Sequence, residues 1–278
     1  MSATLYIVAT PIGNLEDMTY RAVRILGEVD LIAAEDTRHS LKLLNHFGIS
    51  RPMTSYFDHN QQFKGERILN ALRQGKSVAL ISDAGTPCVS DPGYQLVRDA
   101  VAAKIPVVPI PGASAAVAAL SVAGLPTDIF TFAGFPPSRQ GKRRSFLKEM
   151  SPLPGTLVLY EAPHRLEETL LDIREVLGER QIVVARELTK IYEELLRGCV
   201  SEVMESVSQG KVRGEVVILV ASGEIMPLEA KPLGEVLLRL MADGELSVKD
   251  AARKAADIAG VSRNEAYREA LKLRNNED

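Results

Sequence analysis

Short runs of aliphatic and β-branched residues alternate with helical periodicity along the first part of the chain. Leu5-Tyr6-Ile7-Val8-Ala9, Asp30-Leu31-Ile32-Ala33-Ala34, Ser77-Val78-Ala79-Leu80-Ile81-Ser82 and Pro106-Val107-Val108-Pro109-Ile110 read as strands. Residues 19–26, 61–73 and 94–103 read as helices among them. Strands that are apolar throughout, rather than at every second position, belong in a sheet buried on both faces. The pattern therefore predicts a parallel sheet with helices on either side. It restarts after Gly124-Leu125-Pro126, with strands over 129–133, 156–160, 182–185 and 215–220 and a helix over 165–177. A helix over 114–122 joins the two halves.

The fold class expected is α/β, with two α/β domains, residues 1–115 and 116–226, and a cleft between them. A third domain, 227–278, follows Glu229-Ala230-Lys231-Pro232 and is helical throughout. Ser247-Val-Lys-Asp250 and Ser262-Arg-Asn-Glu265 both fit a capping box, a hydroxyl at the N-cap and a carboxylate three residues on. With Gly260 supplying a turn before the second box, the segment resembles a helix-turn-helix. A small helical appendage covering a core face fits the same pattern.

Charge and cysteine content narrow the chemistry. The net charge is −3 over 278 residues, so any nucleic-acid binding has to come from a local patch. The terminal 48 residues carry nine basic and nine acidic side chains, and supply no such patch by themselves. Cys88 and Cys199 stand alone, which excludes a disulfide framework and a cysteine zinc site and fits a reducing cytoplasm. The four histidines are scattered, and no metal is expected. No apolar run is long enough to cross a bilayer, so no membrane partner is expected.

The dinucleotide fingerprint G-x-G-x-x-G after a strand, the P-loop and the G-x-S-x-G elbow are all absent. What remains is three loops of small residues at the carboxyl ends of strands: Thr10-Pro11-Ile12-Gly13-Asn14, Ser82-Asp83-Ala84-Gly85-Thr86-Pro87 and Pro111-Gly112-Ala113-Ser114. Any one of them could be a tight strand-to-helix turn. Three in one domain point to a ligand, because open α/β sheets bind ligands at those ends and small residues allow close approach to the backbone.

These loops, with Ala34-Glu-Asp-Thr-Arg38, Ser90-Asp-Pro-Gly93, Tyr160-Glu-Ala-Pro-His-Arg165 and Arg186-Glu-Leu-Thr-Lys190, occur in an order that resembles the tetrapyrrole-methylase superfamily. Within it, the chain is most similar to the ribosomal branch, the 16S rRNA cytidine-2'-O-methyltransferases of the decoding region. The resemblance covers roughly residues 4–222, and the terminal helices also look like the tail of that branch. It implies S-adenosylmethionine bound in the cleft, a homodimer, and 16S rRNA or the small ribosomal subunit as partner. It places cofactor contacts on Pro11, on Asp83, Ala84, Gly85, Thr86 and Val89, on Ser114 and Ala115, and on Tyr160 and Glu161. Where the tetrapyrrole enzymes usually carry Gly-Asp-Pro, this chain has Gly85-Thr86-Pro87, so no acidic role transfers to Thr86.

Methyl transfer to a ribose hydroxyl needs a proton acceptor. Asp36 is the leading candidate through the resemblance and Glu35 the second, with helix capping as the alternative for Asp36. Arg38, His59, Lys142, Arg143, Arg144, Arg165, Arg186 and Lys190 are candidate RNA contacts, the run at 142–144 through the phosphate backbone. Tyr56, Phe57 and His59 are candidates for stacking on a displaced base. A solvated helix face would explain the 142–144 run equally well. A tetrapyrrole or other small-molecule methylase is the alternative activity, and an RNA-binding module that keeps only the fold is a third reading. The basic run and the terminal helices favour RNA, while the intact small-residue loops favour an enzyme.

Overall fold

A computed structural model describes residues 3–57, 61–210, 214–222, 233–242, 247–259 and 262–275. His59, Gly260 and the 229–232 segment lie outside the described residues. The chain divides into two compact units, Met1–Ser222 and Gly223–Asp278.

The first unit holds two five-stranded sheets. The first contains β1 (Leu5–Val8), β2 (Leu31–Ala34), β3 (Met53–Ser55), β4 (Val78–Ile81) and β5 (Val107–Ile110), in spatial order β3-β2-β4-β1-β5. Every pairing is parallel, as the continuous apolar runs predict. Its helices are α1 (Tyr20–Glu28), α2 (Thr37–His46), α3 (Gln61–Arg73) and α4 (Tyr94–Ala102). They form two cores: Ile25, Leu26 and Leu44 pack with Val8 and Ile32, while Ile68, Leu72 and Leu96 pack with Leu5 and Leu80. Tyr56 belongs to the second core at 1% exposure, which corrects its candidacy as a base-stacking residue.

The second sheet runs β6-β7-β10-β8-β9, from β6 (Phe130–Phe132), β7 (Thr156–Glu161), β8 (Gln181–Arg186), β9 (Glu194–Cys199) and β10 (Val216–Val220). Only β6 and β7 pair in parallel; the other pairings are antiparallel. Periodicity does not announce β9, because Glu194, Arg197 and Gly198 interrupt its apolar residues. Here α5 (Ala115–Ala123), α6 (Gln140–Met150), α7 (Leu166–Leu177) and α8 (Val200–Ser208) complete the unit. Helix α5 follows the last strand of the first sheet yet packs on the second. Ala116, Ala119 and Leu120 meet Val158, Val183, Val217 and Leu219, so the helix ties the two sheets together.

In the second unit α9 (Leu233–Ala242), α10 (Val248–Ala259) and α11 (Arg263–Asn275) surround Leu237, Ala252, Ala255, Ala256, Ala266 and Ala270. Both expected caps form: the amides of Asp250 and Glu265 donate to the hydroxyls of Ser247 and Ser262, at 3.2 Å each.

Candidate cofactor cleft

Strand order explains how distant segments meet. Strands β4, β1 and β5 are neighbours and parallel, so the three small-residue loops leave the sheet side by side at one edge. Beside them, β2 delivers Glu35 and Asp36. The loops are joined by hydrogen bonds. Thr10 and Gly85 exchange backbone bonds of 2.8 and 3.1 Å, and the Thr86 hydroxyl donates to the Ala113 carbonyl at 3.2 Å. Gly85 has a φ of +77°, a conformation that an L side chain resists.

The opposite wall comes from the second sheet. Because β10 is antiparallel to β7 and β8, its first residues lie level with the last residues of those strands: Val216 pairs with both Glu161 and Arg186. Between the walls is a cavity of about 370 Å³. Glu35, Asp83, Ala84, Gly85, Thr86, Val89, Ser114, Ala115, Tyr160 and Glu161 all line it, as does Ile12 where the sequence pointed to Pro11. Pro11 itself is buried and does not line the cavity. The sequence reading missed Ser90, Asp91 and Phe135 on the rim, and Glu187, Leu188 and Glu215 on the far wall. Ser90-Asp91 and Arg186-Glu187-Leu188 fall within the motifs that carry the family resemblance, so the sequence does signal them. Glu215 becomes visible only once β10 is known to run antiparallel.

The Tyr160 hydroxyl accepts from the Ala116 amide at 3.2 Å, fixing the start of α5, and its ring meets Phe132 and Phe135 edge-on. Burial pushes the Tyr160 phenol above its ordinary range. The Glu161 carboxylate is enclosed by the Ala162 amide at 2.8 Å, the Thr169 hydroxyl at 2.5 Å and Arg165 Nε at 3.3 Å. Four residues other than glycine have positive φ around the cavity: Cys88 and Ser90 on either side of Val89, and Glu187 and Thr189 on either side of Leu188. Strained backbone of this kind concentrates at functional sites.

Asp36 stands one residue outside the lining. It caps α2, accepting from the Arg38 amide at 2.8 Å, and its carboxylate is bound by Arg38 Nε and Nη2 at 3.2 and 2.9 Å. Those contacts lower its pKa to about 2. Glu35 does face the cavity, with Oε2 3.4 Å from the Asp83 amide, while Asp83 Oδ1 accepts from the Asp36 amide at 3.1 Å.

Among the expected RNA-contacting cations, Arg143 needs correction. Arg143 is 1% exposed, bound to Asp172 at 2.6 Å, to the Ser138 carbonyl at 3.2 Å and to Glu168 at 3.3 Å. Arg144 is taken by Asp172 at 2.7 Å and by Glu175. Of the 142–144 run only Lys142 remains exposed. Arg165 is held by Glu161 and the Pro136 carbonyl, Arg186 by Glu194, and Lys190 by Glu187 at 2.8 Å. Arg143 is closed off from solvent, while the others are partly exposed and already paired with carboxylates of the same chain. Among the described candidates, Arg38 alone combines an ion pair with a side chain 90% exposed.

Two α/β halves that meet at a strained, small-residue cleft define the class of the tetrapyrrole methylases. Residues 4–204 match the family of Tetrapyrrole (Corrin/Porphyrin) Methylases, and residues 229–274 match the RsmI C-terminal HTH domain. Ribosomal RNA small subunit methyltransferase I of Pseudomonas aeruginosa is 50% identical over 98% of both chains. The protein of that name from Halalkalibacterium halodurans is 52% identical over 78% of this chain and 75% of its own. The chain belongs to this family. Among solved structures, a uroporphyrin-III C-methyltransferase from Thermus thermophilus complexed with S-adenosylhomocysteine shares the fold, with TM-score 0.55 and 19% identity over 78% of this chain and 97% of its own.

S-adenosylmethionine is the cofactor of the family. The cavity suits it chemically. Its lining carries six carboxylates (Glu35, Asp83, Asp91, Glu161, Glu187 and Glu215) and, among the described residues, no Lys, Arg or His. Such a wall favours a ligand bearing ammonium and sulfonium charges and disfavours an RNA phosphate.

Proposed function

We propose that the protein methylates a ribose 2'-hydroxyl of a cytidine in the decoding region of 16S rRNA, acting as a cytoplasmic homodimer. The observation that supports this best is the acid-lined cavity at the joined small-residue loops, in a chain half identical to small-subunit rRNA methyltransferases. The bound cofactor supplies a methyl group on a sulfonium, already activated for transfer. The chain aligns the acceptor: good alignment is worth roughly 7–11 kcal/mol. Ala84, Gly85 and Ala115 would give the cofactor room, Val89 and Leu188 would pack on it, and Asp83 with Glu187 would face its cationic groups. Glu35 takes the proton of the hydroxyl. Asp36 holds the start of α2 and Arg38 in position.

The test is a map of 2'-O-methyl groups on small-subunit rRNA from cells with and without the protein. One cytidine methyl is expected to vanish from the decoding region. An unchanged map, with a tetrapyrrole methylated instead, would establish the small-molecule alternative.

Ala84→Leu is expected to fill the cavity and weaken S-adenosylhomocysteine binding at least tenfold by calorimetry, with the fold intact by circular dichroism. Unchanged affinity would move the cofactor elsewhere.

The homodimer has an apolar surface to use: Val117 and Val122 on α5 and Phe130 on the edge strand β6 are all more than 45% exposed. Light scattering at micromolar concentration should give twice the chain mass, and a monomer mass would refute this.

A further inference from the structure

The loop between β8 and β9 carries the most conspicuous apolar exposure beside the cleft. Ile191 is 94% exposed and Tyr192 79%. The loop is also tightly held. The Lys190 amide donates to the Glu187 carbonyl at 2.9 Å, the Glu193 amide to the Lys190 carbonyl at 3.2 Å, and the Thr189 amide to the Glu193 carboxylate at 2.6 Å. Gly13, on the first small-residue loop, presses against its base: a Cβ there would lie 2.5 Å from Lys190 Cγ and 3.0 Å from the Leu188 carbonyl oxygen. Glu187 and Leu188, immediately before the tip, line the cavity. The tip is therefore a short, fixed arm that starts in the cofactor wall and ends in two apolar side chains in water.

We propose that Tyr192, with Ile191 next to it in the chain, is a stacking platform for an unpaired nucleobase of the RNA substrate, placed beside the methyl-transfer site. This rests on the rRNA reading above. A ribose can enter a cleft lined with carboxylates only if its base and phosphates are held outside, and a planar ring at the cleft's edge offers the base a sequence-tolerant surface. Two side chains cannot by themselves form a contact between copies, since stable interfaces bury about 800 Å² per partner and one aromatic ring supplies roughly 150–250 Å². Stacking of one base needs no more than one ring.

Tyr192→Ala is expected to raise KM for small ribosomal subunits lacking the methyl group by about 5- to 150-fold, the range spanned by loss of stacking on one ring. Calorimetric affinity for S-adenosylhomocysteine should not change, and Tyr192→Phe should stay within about threefold of the wild type, since it keeps the ring. The chain has no tryptophan, so within this protein Tyr192→Trp reports on one position, and a parallel titration of the wild type subtracts the subunits' own emission. Its emission should be quenched as subunits are added and be indifferent to protein dilution. An unaltered KM for Tyr192→Ala overturns the platform, as does Trp emission that follows protein dilution and ignores subunits, which would make the tip a contact between copies. If the wild type methylates no subunits, the rRNA reading falls and the platform with it. If the wild type methylates and Tyr192→Ala matches it, only the platform falls.

Discussion

Asp172→Ala is expected to destabilise the first unit by about 3–5 kcal/mol, because it strands a buried guanidinium. Asp172 is fully buried and binds Arg143 at 2.6 Å and Arg144 at 2.7 Å. Glu168 is a poor substitute, since it touches Arg143 at 3.3 Å with most of its side chain in solvent. For a unit of this size the loss corresponds to a fall in Tm of roughly 6–20 °C. Urea or thermal unfolding measures it, and a change under about 1 kcal/mol would mean that Arg143 reaches water. Arg143→Met combined with Asp172→Leu should recover much of the stability, because apolar residues of similar volume replace buried ion pairs at little cost. The same pair decides the role of the basic run. RNA affinity and its salt dependence should survive in the double variant, whereas a phosphate-binding Arg143 would take about 0.7–0.9 of salt slope with it.

The burial of Arg143 within that run has a physical origin that the sequence does not display. Sequence spacing identifies residues that share a helix, but it does not say which face of the helix meets the rest of the protein. Arg143 lies on α6 beside Leu147, and both are buried against α7, where Asp172 occupies the facing position. A carboxylate 29 residues downstream neutralises the arginine, and nothing local to the run reveals that partner. Arg165 and Lys190 differ, because their partners Glu161 and Glu187 lie four and three residues upstream, and Arg186 meets Glu194 across the β8–β9 hairpin. The small-residue loops were legible for the opposite reason. Each is local, each follows an apolar strand, and parallel strands β4, β1 and β5 deliver their carboxyl ends to one edge. The first sheet was legible because strands buried on both faces are apolar throughout. The second was harder, since its hairpin partner β9 is half-exposed and charged, and its mixed pairing leaves no periodic signature.

Glu35→Gln is expected to lower turnover on undermethylated subunits by about 10²–10⁴-fold, the contribution of a positioned proton acceptor. Asp36→Asn should lower it far less. The two neighbours differ in what surrounds them. Arg38 binds the Asp36 carboxylate through three nitrogens, counting the backbone amide, and holds its pKa at about 2. A group that releases its proton at pH 2 is a weak acceptor at neutral pH, because proton-transfer efficiency rises as the acceptor's pKa approaches the working pH. Asp36 is also the cap of α2, a role that asparagine fills as well as aspartate. Glu35 faces the cavity directly. Its glutamine variant keeps size and hydrogen-bonding reach toward the Asp83 amide and removes only the basic oxygen. S-adenosylhomocysteine affinity should change little in either variant, which separates loss of the proton acceptor from loss of the cofactor. The pH profile supplies a second discriminator. Asp36 stays ionised at every pH above about 2, so it contributes no acidic limb at pH 4–6. Any acidic limb of kcat/KM in that range should therefore persist in Asp36→Asn. If Asp36→Asn proves the slower enzyme at saturating substrate and Glu35→Gln turns over normally, the proton passes to Asp36, and Arg38 must then leave its carboxylate when RNA binds.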